Sequence, residues 1–315
     1  MKGKMMSGVT IVKVKEIDDG MRLNRWFLKY YPGLGIGRLQ KLLRTKQIKV
    51  DGKRAETGTR LQTGQEVRVP PLDNEADVSV EHSGVSARDA AYIQSLVIYK
   101  DADILAINKP SGLAVQGGTN TSRHVDGMLE ALTFEAEEKP KLVHRIDKDT
   151  SGILVLARNR KSADKLTKAF REHTLQKTYL ALSSGCPKQM RGEIKAPLEK
   201  AGEKSVVSSS GKPAVTTYDV LDNVGNKFAL IAASPLTGRT HQIRAHLESI
   251  GCPIIGDDKY FGAERKKFSN ITDKLHLHAY KIDLSAIYNK KVLIQAPLPE
   301  YFKNSLISIG ISFKE

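Results

Sequence analysis

The sequence predicts an α+β protein: a mainly antiparallel, mixed sheet over residues 96–315, preceded by a small α/β module at residues 1–72 and a linker at 73–95. Three observations lead there. From about residue 96, apolar runs of strand length outnumber helical patterns and show no βαβ rhythm. The first 70 residues carry 16 Lys and Arg against six Asp and Glu, two thirds of the +15 net charge in under a quarter of the chain. After Pro70-Pro71 the balance reverses, with Asp73, Glu75, Asp77, Glu81 and Asp89 against Arg88 alone. That shift marks an exposed connection between two unlike parts.

The elements follow in order. Leu23, Phe27 and Tyr30 recur at helical spacing, as do Leu39, Leu42 and Leu43, with Pro32, Gly33, Gly35 and Gly37 punctuating the two. In IKVDGKRA, Asp51-Gly52 sits between short alternating runs, which predicts a hairpin, and EVRVP after Thr63-Gly64 is a further strand. This plan places Arg38, Lys41, Arg44, Lys46, Lys49 and Lys53 around one surface. With no acidic residue between Arg38 and Val50, that surface is read as an RNA contact rather than a merely solvated face.

In the larger part, LVIYKDADILAINKP predicts two strands around a Lys100-Asp101 turn. GILVLARN is a strand feeding a helix, NRKSADKLTKAFREH, with Ala163, Leu166 and Phe170 inward. TYLALSS, AVTTYDVLD and KFALIAASP are strands, THQIRAHLESIG a helix stopped by Gly251, and LHLHAYKIDL and KVLIQAP complete the sheet. Residues 118–141 and 185–213 carry no readable pattern.

Composition narrows the class. Hydrophobic residues at 40 % and aromatics at 6 % exclude a disordered chain. No apolar run approaches the roughly 20 residues of a membrane helix. MKGKMMSGVTIVKVKEIDD lacks the apolar core of a secretory signal. Cys186 and Cys252 are too few for a disulfide scaffold, so a cytoplasmic location with reduced thiols is expected. The net charge of +15 and pI near 9.6 point to a polyanionic partner.

Three segments hold polar residues where a core element has no use for them. In VHRIDKDTSGILVLA, His144, Arg145 and Asp147 crowd a loop just ahead of an apolar strand. In QKTYLAL, Tyr179 opens an apolar strand. In LTGRTHQIRAHL, Arg239, His241, Arg244 and His246 share one loop and helix. His276 and His278 share a strand face, but no carboxylate or cysteine joins them, so core packing is expected there rather than a metal.

HRIDKDTSG, GRTHQIR, NKPSGLAVQGG and the closing IQAPLP together resemble the RluA-type pseudouridine synthases over residues 96–300. Ile146 stands where that family more often has Leu, a volume-conserving change. GMRLNRWFLKYYPG, RLQKLLRTKQIKVDGKRA and TRLQTGQEVRVP resemble the small RNA-binding domain of the ribosomal protein S-four over residues 18–70, with Asn24 in place of the usual Asp. The combination implies the branch acting on large-subunit (23S) ribosomal RNA, an isomerase that needs no metal or cofactor because its product is an isomer of its substrate; the sequence does not constrain the oligomeric state, and a monomer is the default expectation. The resemblance places the essential carboxylate at Asp147, its cationic partner at Arg244, the second-motif tyrosine at Tyr179 and the wedge that fills the gap of a flipped base at Arg145. Lys109, His144 and Arg239 are expected at the RNA or its binding loop.

The residue chemistry is compatible. Cleaving a glycosidic bond needs a carboxylate at the sugar, as nucleophile or base. Burial alone raises a carboxyl pKa, and an arginine, which stays charged, corrects it. Tyr179 offers an aromatic face for the displaced uracil and a hydroxyl able to move a proton. Two other classes remain to be weighed. A pure RNA-binding or assembly factor has no need of HRIDKDTSG, and a nucleoside hydrolase usually needs a second carboxylate.

Overall fold

The structure is a computed structural model that describes residues 9–31, 33–72, 85–117, 123–261, 268 and 270–314. Pro32, the acidic stretch Asp73–Glu81 and the start of the 118–141 loop lie outside the described residues. The chain divides into two compact units, residues 1–84 and 85–315.

The first unit runs β1 (Thr10–Lys13), a 3-10 turn (Glu16–Asp18), α1 (Leu23–Tyr30), α2 (Ile36–Arg44), β2 (Lys49–Val50), β3 (Lys53–Arg54) and β4 (Glu66–Val69). Its antiparallel sheet has the order β1-β4-β2-β3. Asp51 and Gly52 both take positive φ (48° and 71°), the left-handed pair that a two-residue hairpin loop requires. Leu23, Trp26 and Phe27 of α1 meet Leu39, Leu42 and Leu43 of α2 and Val67 of β4 in one buried cluster. Arg38, Lys41 and Arg44 are exposed on the side of α2 away from those leucines, and Lys46 and Lys53 are exposed as well; Lys49 is half-buried.

In the second unit come α3 (Ala87–Ser95), β5 (Val97–Lys100), β6 (Ile104–Lys109), α4 (Val125–Met128), β7 (Lys141–Leu142), β8 (Ser151–Ala157), α5 (Arg160–Arg171), β9 (Gln176–Ser184), β10 (Arg191–Lys195), β11 (Leu198–Ala201), β12 (Lys204–Val207), β13 (Val215–Val224), β14 (Phe228–Pro235), α6 (Gln242–Ser249), β15 (Leu277–Asp283), α7 (Ser285–Tyr288), β16 (Leu293–Gln295) and α8 (Glu300–Ile309). The large sheet has the order β10-β13-β14-β9-β15-β8-β6-β5, with β7 on β8 and β16 on β15. Its one parallel pair among the described residues is β8 with β15, so the mainly antiparallel, mixed α+β fold expected from the sequence is the one found. All seven residues of β8 are buried. Ile153 and Val155 face α5 through Leu166 and Ala169, while Leu154 and Leu156 face Ile93 of α3 and Leu129 and Leu132. Cover on both faces explains an apolar run without alternation.

Two expectations need correction. Residues 87–95 are not linker. Ser86 caps α3 by accepting the Asp89 amide and donating to its carboxylate, so an acid counted as linker charge is part of a helix start. Residues 185–213 are not patternless loop either: β10 edges the large sheet and β11 pairs with β12.

Gly152 shows how tightly β8 is set. Its φ is 106°, and a Cβ there would lie 2.3 Å from the Ala279 carbonyl oxygen across the parallel pair. Gly152→Ala is expected to destabilise the unit by at least about 2 kcal/mol, through backbone strain and a clash that no rotamer relieves. A urea unfolding curve measures this; a midpoint equal to wild type contradicts the close approach.

Candidate active site

The loop ahead of β8 carries the first segment, and it is held from inside. The Nε2 of His144 accepts the Val155 amide at 2.8 Å, its ring stacks on Phe170 at 4.1 Å, and burial with the charge of Lys177 pushes its pKa down to about 3. The ring is therefore neutral near pH 7, an acceptor rather than an acid. Ile146 is buried in the layer beneath β8. That anchor turns its neighbours outward: Arg145 is exposed and Asp147 is partly exposed. Beyond Asp147, the Lys148 carbonyl accepts both the Gly112 amide and the Nζ of Lys109.

Lys109, expected at the RNA or at its binding loop, lies at the loop. It is fully buried, and its Nζ donates to the carbonyls of Pro110, Leu113 and Lys148 at 2.8–3.0 Å. Three acceptors match the three protons of an ammonium, although burial pulls its pKa down to about 7 against the opposing influence of Asp149 and Asp147. An enclosed amine does not reach RNA. Lys109 ties the Asp147 loop to the NKPSG turn.

The third segment supplies the cation. Gln242 joins its loop to the sheet, accepting from the Thr237 hydroxyl and the Arg239 amide and donating to the Val215 carbonyl and Thr216 hydroxyl. His241 begins α6 in the left-handed region (φ 53°), and Gly251 ends it in the same region (φ 75°). Arg244, buried within α6, places Nη1 3.5 Å from an Asp147 carboxylate oxygen. Its other edge makes a bidentate pair with buried Asp257, Nε and Nη2 each at 2.7 Å. Asp257 also accepts the amides of Lys259 and Tyr260. The ring of Tyr260 lies 5.1 Å beneath the Arg244 guanidinium, and its hydroxyl joins Ser205 of β12 to the His241 ring. His241 Nε2 stands 3.7 Å from Asp147. Burial lowers the His241 pKa and Arg244 adds repulsion, together outweighing the pull of Asp147, so Arg244 is the permanent counter-charge.

Tyr179 enters from β9, flanked by β14 and β15. Burial and the charge of Asp147 both raise its pKa. The hydroxyl thus keeps its proton near neutrality and acts as a donor, not a base.

These groups line one cleft of about 590 Å³, walled by Arg145, Asp147, Tyr179, Arg239, His241 and Arg244, with His144, Phe170, His173 and Lys177. Asp147 is its one carboxylate among the described residues, so a two-carboxylate hydrolytic site is not assembled here. Six predicted residues therefore converge (Asp147, Tyr179, Arg244, Arg145, His144 and Arg239), and Lys109 does not. Arg38, Lys41, Arg44, Lys46, Lys49 and Lys53 belong to the first unit. His276 and His278 are core residues: one ring bonds Ser305 and the Lys274 carbonyl, the other Ser151 and the Ala296 carbonyl. Asp257 and Tyr260 escaped the sequence reading; the run GDDKY was their only signal.

Comparison with known proteins decides the family. Residues 103–249 match the RNA pseudouridylate synthase family model, and a ribosomal large subunit pseudouridine synthase C from Rickettsia felis is 36 % identical over 296 residues, 91 % of this chain and 96 % of the relative. The chain belongs to the RNA pseudouridylate synthase family. A second synthase C, from Escherichia coli strain K12, is 35 % identical over 95 % of this chain and 96 % of its own. Among solved structures, human RNA pseudouridylate synthase domain containing 4 superposes with a TM-score of 0.63 at 28 % identity, over 72 % of this chain and 99 % of that one. As a pseudouridine synthase the protein is an isomerase. Uridine loses its N1–C1′ bond and gains C5–C1′, while one proton leaves C5 and one arrives at N1, with no oxidant or co-reactant to balance.

Proposed function

We propose that this synthase converts specific uridines to pseudouridine in large-subunit (23S) ribosomal RNA, with Asp147 as the catalytic carboxylate. The observation that carries this is a cleft whose one described carboxylate faces a permanent cation, Arg244 at 3.5 Å, itself fixed by Asp257. An ionised carboxylate so held can attack C1′ or take a proton from C2′, and either route frees uracil within the cleft. Phe170 and Tyr179 supply aromatic surface while the base turns, and the Tyr179 hydroxyl donates to a uracil oxygen. Exposed Arg145, on the rim beside Asp147, fills the stack that the uridine leaves. Residues 1–72 act as a separate RNA-binding domain through the exposed cations of α2 and the β2–β3 hairpin, adding affinity that falls with salt. The enzyme works as a cytoplasmic monomer without metal or cofactor.

The test is pseudouridine mapping of ribosomal RNA from cells lacking the gene, complemented with wild type or Asp147→Ala. Loss of defined large-subunit sites, restored by wild type alone, is expected. An unchanged map in the deletion strain removes ribosomal RNA as the substrate. Rescue by the Asp147→Ala protein of an assembly defect, with the sites still missing, favours a binding role beside the chemistry.

A further inference from the structure

Lys177 and His173 sit in the cleft wall with no evident work in the free protein. Lys177 lies two residues before Tyr179 on β9, hence on the same face of that strand, and both line the cleft. It is half-buried, and among the described residues no carboxylate pairs with it. His173 follows α5 in the left-handed region (φ 56°). Its ring lies against Gly238, where a Cβ would come within 2.9 Å, and its Nδ1 is buried with no hydrogen-bond partner among the described residues. Arg239, next to Gly238, is fixed by Nε donating to the Pro213 carbonyl at 3.0 Å and by its amide on Gln242.

Three cationic or protonatable groups from three elements thus share one wall, while the cleft's one described carboxylate is held by Arg244 on another element. Partly desolvating a cation without a counter-ion is unfavourable unless a ligand brings the opposite charge. Burial lowers the pKa of both Lys177 and His173, and His173 is lowered further by Lys177 and Arg239. An anion seated there offsets the desolvation of Lys177 and favours a protonated His173, and nothing described in the free protein does either.

We propose that Lys177, His173 and Arg239 form a phosphodiester-binding subsite in the cleft wall, gripping the RNA backbone next to the uridine that enters beside Asp147. The proposal rests on the pseudouridine synthase reading for the identity of its anion. A phosphate held there fixes the sugar against Asp147, so the subsite positions the nucleotide rather than reading its base.

The test measures affinity for in vitro transcribed large-subunit ribosomal RNA against salt, with Asp147→Asn in every protein so that turnover does not intervene. Lys177→Gln is expected to lower the slope of log Kd against log salt by about 0.7–0.9, the share of one phosphate contact, and Arg239→Gln by a similar amount. The affinity gap between Lys177→Gln and its parent then narrows about three-fold from 50 to 200 mM salt, and Lys177→Arg restores the slope. The thermal midpoint of Lys177→Gln without RNA is expected to equal or exceed the parent's, because an uncompensated charge has been removed. Unchanged slopes in both variants overturn the subsite, as does a lowered midpoint with an unchanged slope, which marks Lys177 as a structural residue. Pseudouridine formation by the wild type on the same transcript is scored separately. Its absence alongside a reduced slope removes the catalytic reading and leaves the anion site.

Discussion

Asp147→Asn is expected to lower single-turnover pseudouridine formation by on the order of 10⁴–10⁶-fold while leaving RNA affinity within a few-fold of wild type. The substitution keeps shape and removes one charge. The cleft offers no described substitute: Asp147 is its one carboxylate, Tyr179 is held protonated, and His241 sits 3.7 Å away as a neutral ring tied to Tyr260. Arg244 stays in place because Asp257 holds it, so the fold and the RNA path survive. The measurement is product formation on ribosomal RNA with enzyme in excess, together with a binding isotherm. Activity within ten-fold of wild type removes Asp147 from the chemistry. Lost binding together with lost activity makes it a residue of structure instead.

Asp257→Asn is expected to be costly in a different currency. Arg244 is buried with both Nε and Nη2 on Asp257, and the same carboxylate accepts two backbone amides at the start of the next turn. Removing one partner of a buried pair leaves a desolvated cation and typically costs about 3–5 kcal/mol. For a unit of this size that is a fall of roughly 6–20 °C in thermal midpoint. The released guanidinium also loses the orientation that presents Nη1 to Asp147, so the rate at a temperature where the variant is folded is expected to fall with little change in RNA affinity. Thermal unfolding and single-turnover kinetics on the same preparation check both parts. A midpoint within 2 °C of wild type, by the same scaling, shows that the bidentate pair contributes little.

Much of the architecture was legible because its signals are local. Asp51-Gly52 announces a hairpin through the φ values it tolerates, Gly251 ends α6 as a left-handed stop, and β8 reads as a strand because both its faces are covered. Asp147, Tyr179 and Arg244 were legible through the resemblance of HRIDKDTSG, QKTYLAL and GRTHQIR, in that order, to the motifs of one family; singly, each reads as a turn, ion-pair or strand residue. What stayed hidden depends on distant partners. Asp257 sits in GDDKY, which reads as a charged surface turn until Arg244 arrives 13 positions away in sequence. For Lys109 the choice between RNA and loop stayed open, because the carbonyls that bind it are backbone atoms with no trace in residue type. The helix at 87–95 was masked by Asp89, the first-turn acid whose amide and carboxylate the Ser86 cap binds. In β10 to β12 one residue of each strand is buried (Ile194, Leu198 and Ser205), which leaves no apolar run to detect.

The placement of β15 between β8 and β9 has a consequence for how the protein is made. On the edge of β9 away from β14, residues 176–181 are paired by residues 277–283. During synthesis at roughly 5–20 residues per second, the intervening hundred or so residues keep that edge open for about 5–20 s. The nascent chain can complete the pairs of β6 with β8 and of β14 with β9 in that interval, yet it carries two half-sheets that do not meet. Asp147 precedes β8 in one half and Tyr179 lies on β9 in the other. The cleft therefore comes into being in a single late event, when β15 closes the seam, and a growing chain stalled before residue 277 carries all three motifs without an assembled site.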